Sequence, residues 1–233
     1  MGMALLLEYY HELPLQREDD EATGGVARLK KALDTFKRKV AARYTEGTLL
    51  RLLSCDHAET RRAAVVALGL VGSMECNKAL ASRLRDGDRA VRQVAADALW
   101  SLWFRGDSRA HGDELQRYVR LADPEKALAG ISRLIRKVPE FAEAYNQRAI
   151  LYFRAGEYQK AVADCETVLK LNPFHFGAQA GMAQCFIKLR KPRPALRALR
   201  TALKIHPGLE GVAETIRALE EVLGEEGKKD DKK

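Results

Sequence analysis

The chain repeats one hydrophobic pattern, an apolar stripe with a period near 3.6 residues, through most of residues 25–222. Such a stripe is typical of an amphipathic helix, and no stretch shows the alternation of a half-exposed strand. Glycine, proline and short acidic clusters interrupt the stripe at intervals that suit helix pairs. The pattern therefore predicts an all-α protein, an α-solenoid of stacked antiparallel hairpins, whose first long helix covers residues 25–44.

The second half of the chain repeats itself every 34 residues. Alanine recurs at one position of the repeat, proline at a second and an aromatic residue at a third. These columns consist of Ala127, Ala161 and Ala195; Pro139, Pro173 and Pro207; and Tyr118, Tyr152 and Phe186. A hairpin of this size cannot bury its apolar face alone, so the repetition predicts a stack of hairpins with one common core.

The best-formed copy, residues 142–175, resembles the tetratricopeptide repeat family. It has the two aromatic residues, two small residues, turn glycine and closing proline of that family at Tyr145, Ala149, Tyr152, Gly156, Ala161 and Pro173. The resemblance extends over about residues 108–209, with departures: His111 and Gln179 stand where the first aromatic belongs, and Arg190 replaces the turn glycine. It implies three hairpins, followed by a capping helix.

Residues 46–107 contain a shorter repeat of 31 residues that resembles HEAT repeats. The matching pairs are Leu53 and Leu84, Arg61 and Arg92, Ala64 and Ala95, Ala67 and Ala98, and Leu68 and Leu99. Small residues in the second helix of each hairpin permit close stacking. We expect the two arginines to bridge turns rather than contact a ligand. The aromatic cluster that follows, Trp100, Trp103 and Phe104, is predicted to be an apolar plug that joins the two arrays.

Four segments are therefore predicted along the chain. Residues 1–24 form an N-terminal arm and loop, and residues 25–107 form a basic helix followed by the HEAT-like repeats. Residues 108–223 form the tetratricopeptide-like repeats with their capping helix. Residues 224–233 are charged and apolar-free, which predicts a disordered tail.

The charge balance adds a second hypothesis about function. The chain has 40 Lys and Arg against 32 Asp and Glu, a formal net charge of +8. Two basic patches, over residues 28–43 and 188–204, are solvated outer faces on the simplest interpretation. Alternatively they contact a polyanion such as nucleic acid. The residues assigned to that contact are Arg28, Lys31, Lys37, Arg38, Lys39, Arg193, Arg197 and Arg200.

Motifs for catalysis are missing from the sequence. There is no phosphate-binding loop, no metalloprotease helix and no nucleophile elbow. The four cysteines form no C-x-x-C pair. We therefore expect no catalytic residue, no metal and no cofactor. No apolar run is long enough to cross a membrane, and the N-terminus lacks the pattern of a signal peptide, so the expected location is the cytoplasm.

The family resemblance implies that a peptide binds in the concave groove formed by the first helices of the tetratricopeptide hairpins. We call the residues predicted to contact it the first-helix wall: Gln116, Val119, Arg120, Asn146, Gln147, Phe153, Arg154, Gln184, Ile187 and Lys188. The positions that match the family's chaperone-binding clamp hold Gly112, Gln116, Gln147, Gly177 and Gly181, none of which fits that clamp.

The sequence thus predicts a non-enzymatic adaptor or scaffold that binds an apolar and acidic segment of another protein. Two alternatives stay open. One is a helical-repeat protein that binds nucleic acid through the basic patches, and the other is an accessory subunit of an enzyme complex.

Overall fold

The computed structural model describes residues 2–14 and 25–230. Every regular element in these ranges is a helix, which confirms the predicted all-α class. The helices form two compact units, and the division between them falls between Leu102 and Trp103. Within the second unit each helix packs against the next one in the chain, as a solenoid of stacked hairpins requires.

The first unit is built around one central helix, α4. Its described helices are α1 (Gly2–His11), α2 (Gly25–Arg43), α3 (Glu46–Leu52), α4 (Ala58–Val71), α5 (Asn77–Arg83) and α6 (Arg89–Trp103), with a short 3₁₀ helix at Met74–Cys76. Helix α4 contacts α1, α2, α3 and α5. It also packs tightly on α6, because a Cβ atom added at Gly69 would lie only 2.7 Å from the Cβ of Ala98.

The repeated arginines of the first unit hold its turns together. Arg61 donates to both carboxylate oxygens of Asp86, at 2.9 and 2.7 Å, and to the backbone oxygens of Cys55 and Asp56. Arg92, 31 residues later, donates to the backbone oxygens of Asp86 and Gly87. Both arginines therefore bridge turns, as the sequence predicts. Burial raises the pKa of Asp86, but hydrogen bonds from Arg61 and the Asp88 amide outweigh this and lower it.

The second unit contains three hairpins and a last helix. Its helices are α7 (Arg109–Val119) and α8 (Pro124–Lys137), α9 (Ala142–Arg154) and α10 (Tyr158–Leu171), α11 (Phe176–Lys188) and α12 (Pro192–Ile205), and α13 (Val212–Asp230). Helix α13 packs on α12 at the end of the stack. Residues that are small in the repeat pattern are fully buried between helices, for example Ala161 and Ala195, which both have an exposed fraction of 0%.

The turns of the second and third hairpins have the same backbone conformation. After α9, Gly156 adopts φ 78°, and the Glu157 amide donates to the Tyr152 oxygen at 2.9 Å. After α11, Arg190 adopts φ 55°, and the Lys191 amide donates to the Phe186 oxygen at 2.8 Å. Both turns are Schellman motifs, in which a left-handed residue closes the helix. Arginine in the third hairpin thus occupies the left-handed position that glycine occupies in the second, and the turn keeps the same hydrogen-bond pattern.

Two of the cysteines are part of the core of the second unit. Cys165 and Cys185 pack in one cluster with Ala149 and Ala161, and their exposed fractions are 2% and 1%. Burial raises the pKa of Cys165 to about 12, so its sulfur stays protonated at neutral pH. These cysteines therefore behave as small apolar side chains.

Two boundaries in the structure differ in position from the predicted ones. The division between units lies five residues before the predicted start at residue 108, because Trp103 packs with the second unit. Helix α13 runs to Asp230, although residues 224–233 were predicted to be disordered. Glutamate and lysine, which dominate this segment, are good helix formers and extend the helix. Of the predicted N-terminal arm and loop at 1–24, residues 15–24 lie outside the described residues.

Candidate functional site

The first-helix wall contains two columns that recur on α7, α9 and α11. Val119 has an exposed fraction of 43%, while Phe153 and Ile187 at the same repeat position are half-buried. The next residue in each hairpin is a cation, and the three cations are the exposed side chains of Arg120, Arg154 and Lys188. Among the described residues none of these three cations has an ion-pair partner. An apolar column thus runs beside a cationic one.

A third column belongs to this wall, and the sequence reasoning missed its central member. Ile150 lies one helical turn before Arg154, and 37% of its surface is exposed. It has the same repeat position as Gln116 and Gln184, which flank it on α7 and α11. The 34-residue register could have found it, but an isoleucine in an amphipathic helix resembled a core residue. An exposed isoleucine between two amides makes the wall more apolar than predicted.

Two of the four amides predicted to face a ligand, Asn146 and Gln147, form hydrogen bonds within the protein. Asn146 is 4% exposed and donates to Glu143 Oε1 at 3.0 Å, and Gln147 donates to the same oxygen at 2.6 Å. Glu143 is itself buried, and its Oε2 lies 2.9 Å from His175 Nε2. These residues form a polar cluster at the start of α9. Asn146 and Gln147 therefore shape the wall from beneath.

His175 has a defined tautomer in this cluster. Its Nδ1 accepts a hydrogen bond from the Ala178 amide at 3.0 Å and so caps helix α11. Because Nδ1 accepts, Nε2 carries the hydrogen and donates to Glu143. The ring of Trp103 stacks on His175 with centroids 4.1 Å apart. Sequence reasoning missed this cluster because the residues are far apart in the chain.

An ion pair fixes α9 against α10 on the side of α9 away from the exposed columns. Arg148 donates to both carboxylate oxygens of Asp164, each at 2.7 Å, and lies over the rings of Tyr145 and Tyr152 at 5.5 and 5.7 Å. The hydrogen bonds to Asp164 raise the pKa of Arg148, while burial acts in the opposite direction. The pair fills the space between the two helices and Ser132 of α8, whose hydroxyl lies 3.4 Å from Arg148.

The predicted polyanion contacts divide into exposed and engaged cations. On α2, Arg28, Lys31 and Arg38 are exposed, and Lys37 is half-buried. Lys39 instead bonds both carboxylate oxygens of Glu12, at 2.7 and 2.5 Å, and lies over the Tyr9 ring at 5.0 Å. On α12, Arg193 and Arg197 are exposed, whereas Arg200 pairs with Glu220 of α13 at 2.6 Å. Each patch therefore lies at the surface, and in each patch at least one cation is paired with a carboxylate.

The described residues also bear on membrane and metal sites. No helix in residues 2–14 or 25–230 is long and apolar enough to cross a membrane. Within the same ranges, no group of three or more His, Cys, Asp or Glu side chains has an arrangement that could hold a metal ion.

Family models confirm both predicted repeat types. The tetratricopeptide repeat model matches residues 142–175, which are the α9–α10 hairpin. The HEAT repeat model matches residues 45–127. The second match runs past the predicted end at residue 107 into α8, where the tetratricopeptide pattern is degenerate.

Curated relatives and solved structures include other repeat proteins. A TPR repeat-containing protein of Rhizobium etli is 36% identical over 97 residues, which are 42% of this chain and 48% of that protein. Superkiller complex protein 3 of Homo sapiens is 25% identical over 108 residues, which are 46% of this chain and 7% of that protein. The chain thus spans about half, or less, of these relatives.

Two solved structures are similar to parts of this chain. One is the first TPR domain of Spaghetti (RPAP3) bound to an HSP90 peptide, 18% identical, with a TM-score of 0.46 over 49% of this chain and 91% of that one. The other is a thermophilic TPR protein of Thermus thermophilus, 21% identical, with a TM-score of 0.39 over 84% of this chain and 92% of that one.

Proposed function

We propose that this protein is a non-enzymatic adaptor whose first-helix wall binds a segment of a partner protein. Tetratricopeptide repeat proteins generally mediate interactions between proteins. The observation that carries the proposal is the register of α7, α9 and α11. Three columns, of amide or isoleucine, apolar and cationic side chains, lie at matching places on three successive hairpins. A regular surface of this kind suits an extended or helical segment that contacts several repeats in turn.

The side chains of the wall define the chemistry of that segment. Exposed cations without an ion-pair partner among the described residues favour carboxylates, and charge complementarity sets both specificity and association rate. The adjacent column of Val119, Phe153 and Ile187, together with Ile150, favours apolar side chains between those carboxylates. The segment that fits this wall alternates acidic and apolar residues.

The proposal is tested by a charge reversal that spares the fold. Arg154→Glu combined with Lys188→Glu changes two exposed side chains at helix ends. Affinity purification from the native cell, followed by mass spectrometry, should recover a set of partners with the wild-type chain and lose its main members with the double variant. Each such partner should then bind the purified wild-type chain at least about tenfold more tightly, a difference near 1.4 kcal/mol.

A matched control separates the wall from general charge effects. Arg136→Glu combined with Arg193→Glu makes the same change in charge at exposed sites on α8 and α12, away from the wall. This variant should keep the same partners. If both variants lose them equally, or if neither does, the first-helix wall is not the binding surface.

A further inference from the structure

A second surface lies over the third hairpin. It is a groove of about 490 Å³ between α10 and α12, which we call the third-hairpin groove. Its floor is apolar and consists of Leu169, Met182 and Phe186, all half-buried. None of these residues belongs to the first-helix wall, so the groove is a separate surface. Its volume is in the range of sites that hold one or two large side chains of a ligand.

The groove exists because three positions of the repeat have changed. In the second hairpin these positions hold Tyr145, Arg148 and Asp164, and the arginine-carboxylate pair fills the space between helices. In the third hairpin, 34 residues later, the corresponding residues are Gln179, Met182 and Ala198, which all line the groove. The third hairpin therefore lacks the ion pair and the aromatic ring that close the second one.

The rim of the groove has a different charge from its counterpart in the second hairpin. Arg197 occupies the position of Ala163, and it is exposed with no ion-pair partner among the described residues. Lys170 adds a second exposed cation on the α10 side, and Glu166 is the one carboxylate of the lining. The rim thus carries a net positive charge around an apolar floor.

The chain's own last helix indicates which element fits beside α12. Helix α13 carries Glu214, Glu220 and Glu221 and covers one flank of α12, where Arg200 pairs with Glu220 at 2.6 Å. Arg197, one turn before Arg200 on the same helix, borders the open groove. An acidic amphipathic helix is therefore already a neighbour of α12, and the cation at the groove lies one turn from the cation that this helix binds.

We propose that the third-hairpin groove docks an acidic amphipathic helix of a partner protein, with one large apolar side chain of that helix seated on Met182 and Phe186. The carboxylates of the helix lie toward Arg197 and Lys170. Methionine suits such a floor because its flexible side chain adapts to different anchors. A phosphate backbone fits less well, because the floor is apolar and Glu166 faces the same space.

The test uses the full chain and two fluorescein-labelled synthetic peptides. Both form the same amphipathic helix with leucine anchors, and the polar face is all glutamate in one and all lysine in the other. The acidic peptide should bind in fluorescence anisotropy titrations, and the basic one should not. Arg197→Glu should weaken binding by about tenfold or more, whereas Arg136→Glu, an equal change in charge at an exposed site on α8 outside the groove, should alter it by less than about threefold.

Gln179→Tyr provides a variant that changes no charge. It restores the aromatic residue of the second hairpin, fills the groove and should weaken the acidic peptide by about tenfold. The Arg154→Glu, Lys188→Glu variant of the first-helix wall should bind the peptide normally, so this result is independent of the proposed function.

Four outcomes would overturn the proposal: no binding of the acidic peptide, equal loss with Arg136→Glu and Arg197→Glu, no loss with Gln179→Tyr, or loss with the wall variant. Tighter binding of a labelled single-stranded RNA, with the same sensitivity to Arg197→Glu, would assign the groove to nucleic acid instead.

Discussion

The second and third hairpins have the same helix pairing and turn conformation. The space beside their first helix is filled in the second hairpin and open in the third. In the second, Arg148 and Asp164 close the space above α9 with two hydrogen bonds of 2.7 Å. In the third, Met182 and Ala198 stand at those positions and the space is an open groove. The repeat register therefore determines the helix pairing, while a few side chains determine whether the space between the helices is filled or open. Residues that depart from the repeat pattern are thus the best guides to function.

The largest predicted effect concerns the buried alanine that the two hairpins share at one repeat position. Ala161 and Ala195 have an exposed fraction of 0%. Ala161→Arg and Ala195→Arg should each lower the free energy of unfolding by about 3 kcal/mol or more, because overpacking alone costs about 1–3 kcal/mol and a buried guanidinium adds to it. Urea denaturation followed by circular dichroism measures both losses.

Exposed Ala163 in the same helix as Ala161 provides the control. Ala163→Arg should change stability by less than about 0.5 kcal/mol. If Ala161→Arg is as mild as this control, α9 and α10 do not pair as described.

The second prediction concerns the Arg148–Asp164 ion pair, which the second hairpin has and the third lacks. Arg148→Met places the residue of the third hairpin in the second and leaves the Asp164 carboxylate, whose side chain is 8% exposed, without its two donors. The expected loss is about 3 kcal/mol, because removal of one partner strands a buried charge. The same denaturation experiment measures it.

A double variant decides whether the loss comes from the stranded charge. Arg148→Met with Asp164→Ala gives the second hairpin the Met and Ala of the third. It should lose less stability than Arg148→Met alone, since no unpaired carboxylate remains. If the stability losses of the two single variants add up to the loss of the double variant, Arg148 and Asp164 contribute little coupling energy. The closed and open hairpins would then differ only in shape.

The sequence predicted the parts of the fold that depend on local pattern. The alanine, proline and aromatic columns give the helix pairs and their order, because small and large residues at fixed spacing determine how hairpins stack. The exposed cations Arg120, Arg154 and Lys188 follow from the same register.

The rest depends on contacts between distant residues. Asn146 was predicted to face a ligand, but its amide donates a hydrogen bond to Glu143. His175, which is 32 residues from Glu143 in the chain, completes the cluster. No local pattern indicates that pairing. The third-hairpin groove had a signal in the missing aromatic at Gln179, but only the packing of α10 and α12 shows that the space remains open.

The smallest predicted effect concerns the two turns, where the second hairpin has the favourable residue and the third does not. Gly156 has φ 78° with nothing within 4 Å of an added Cβ, so Gly156→Ala should cost the left-handed backbone energy of about 1 kcal/mol, less the conformational freedom that alanine removes from the unfolded chain. Arg190, at φ 55°, already bears that cost. Arg190→Gly should therefore stabilise the protein, by about 0.5 kcal/mol after the greater freedom of glycine in the unfolded chain is subtracted.

Arg190→Ala distinguishes backbone strain from charge in this last comparison. It removes the same cation from the basic third hairpin but keeps a Cβ at the left-handed position, so it should leave the melting temperature near that of the wild type. If Arg190→Ala stabilises as much as Arg190→Gly, the gain comes from relief of charge repulsion with neighbours such as Lys191 rather than from the backbone. If Arg190→Gly destabilises instead, the arginine side chain makes a contribution that outweighs its strain. In that case the third hairpin is adapted to its irregular turn, and the two turns are not equivalent.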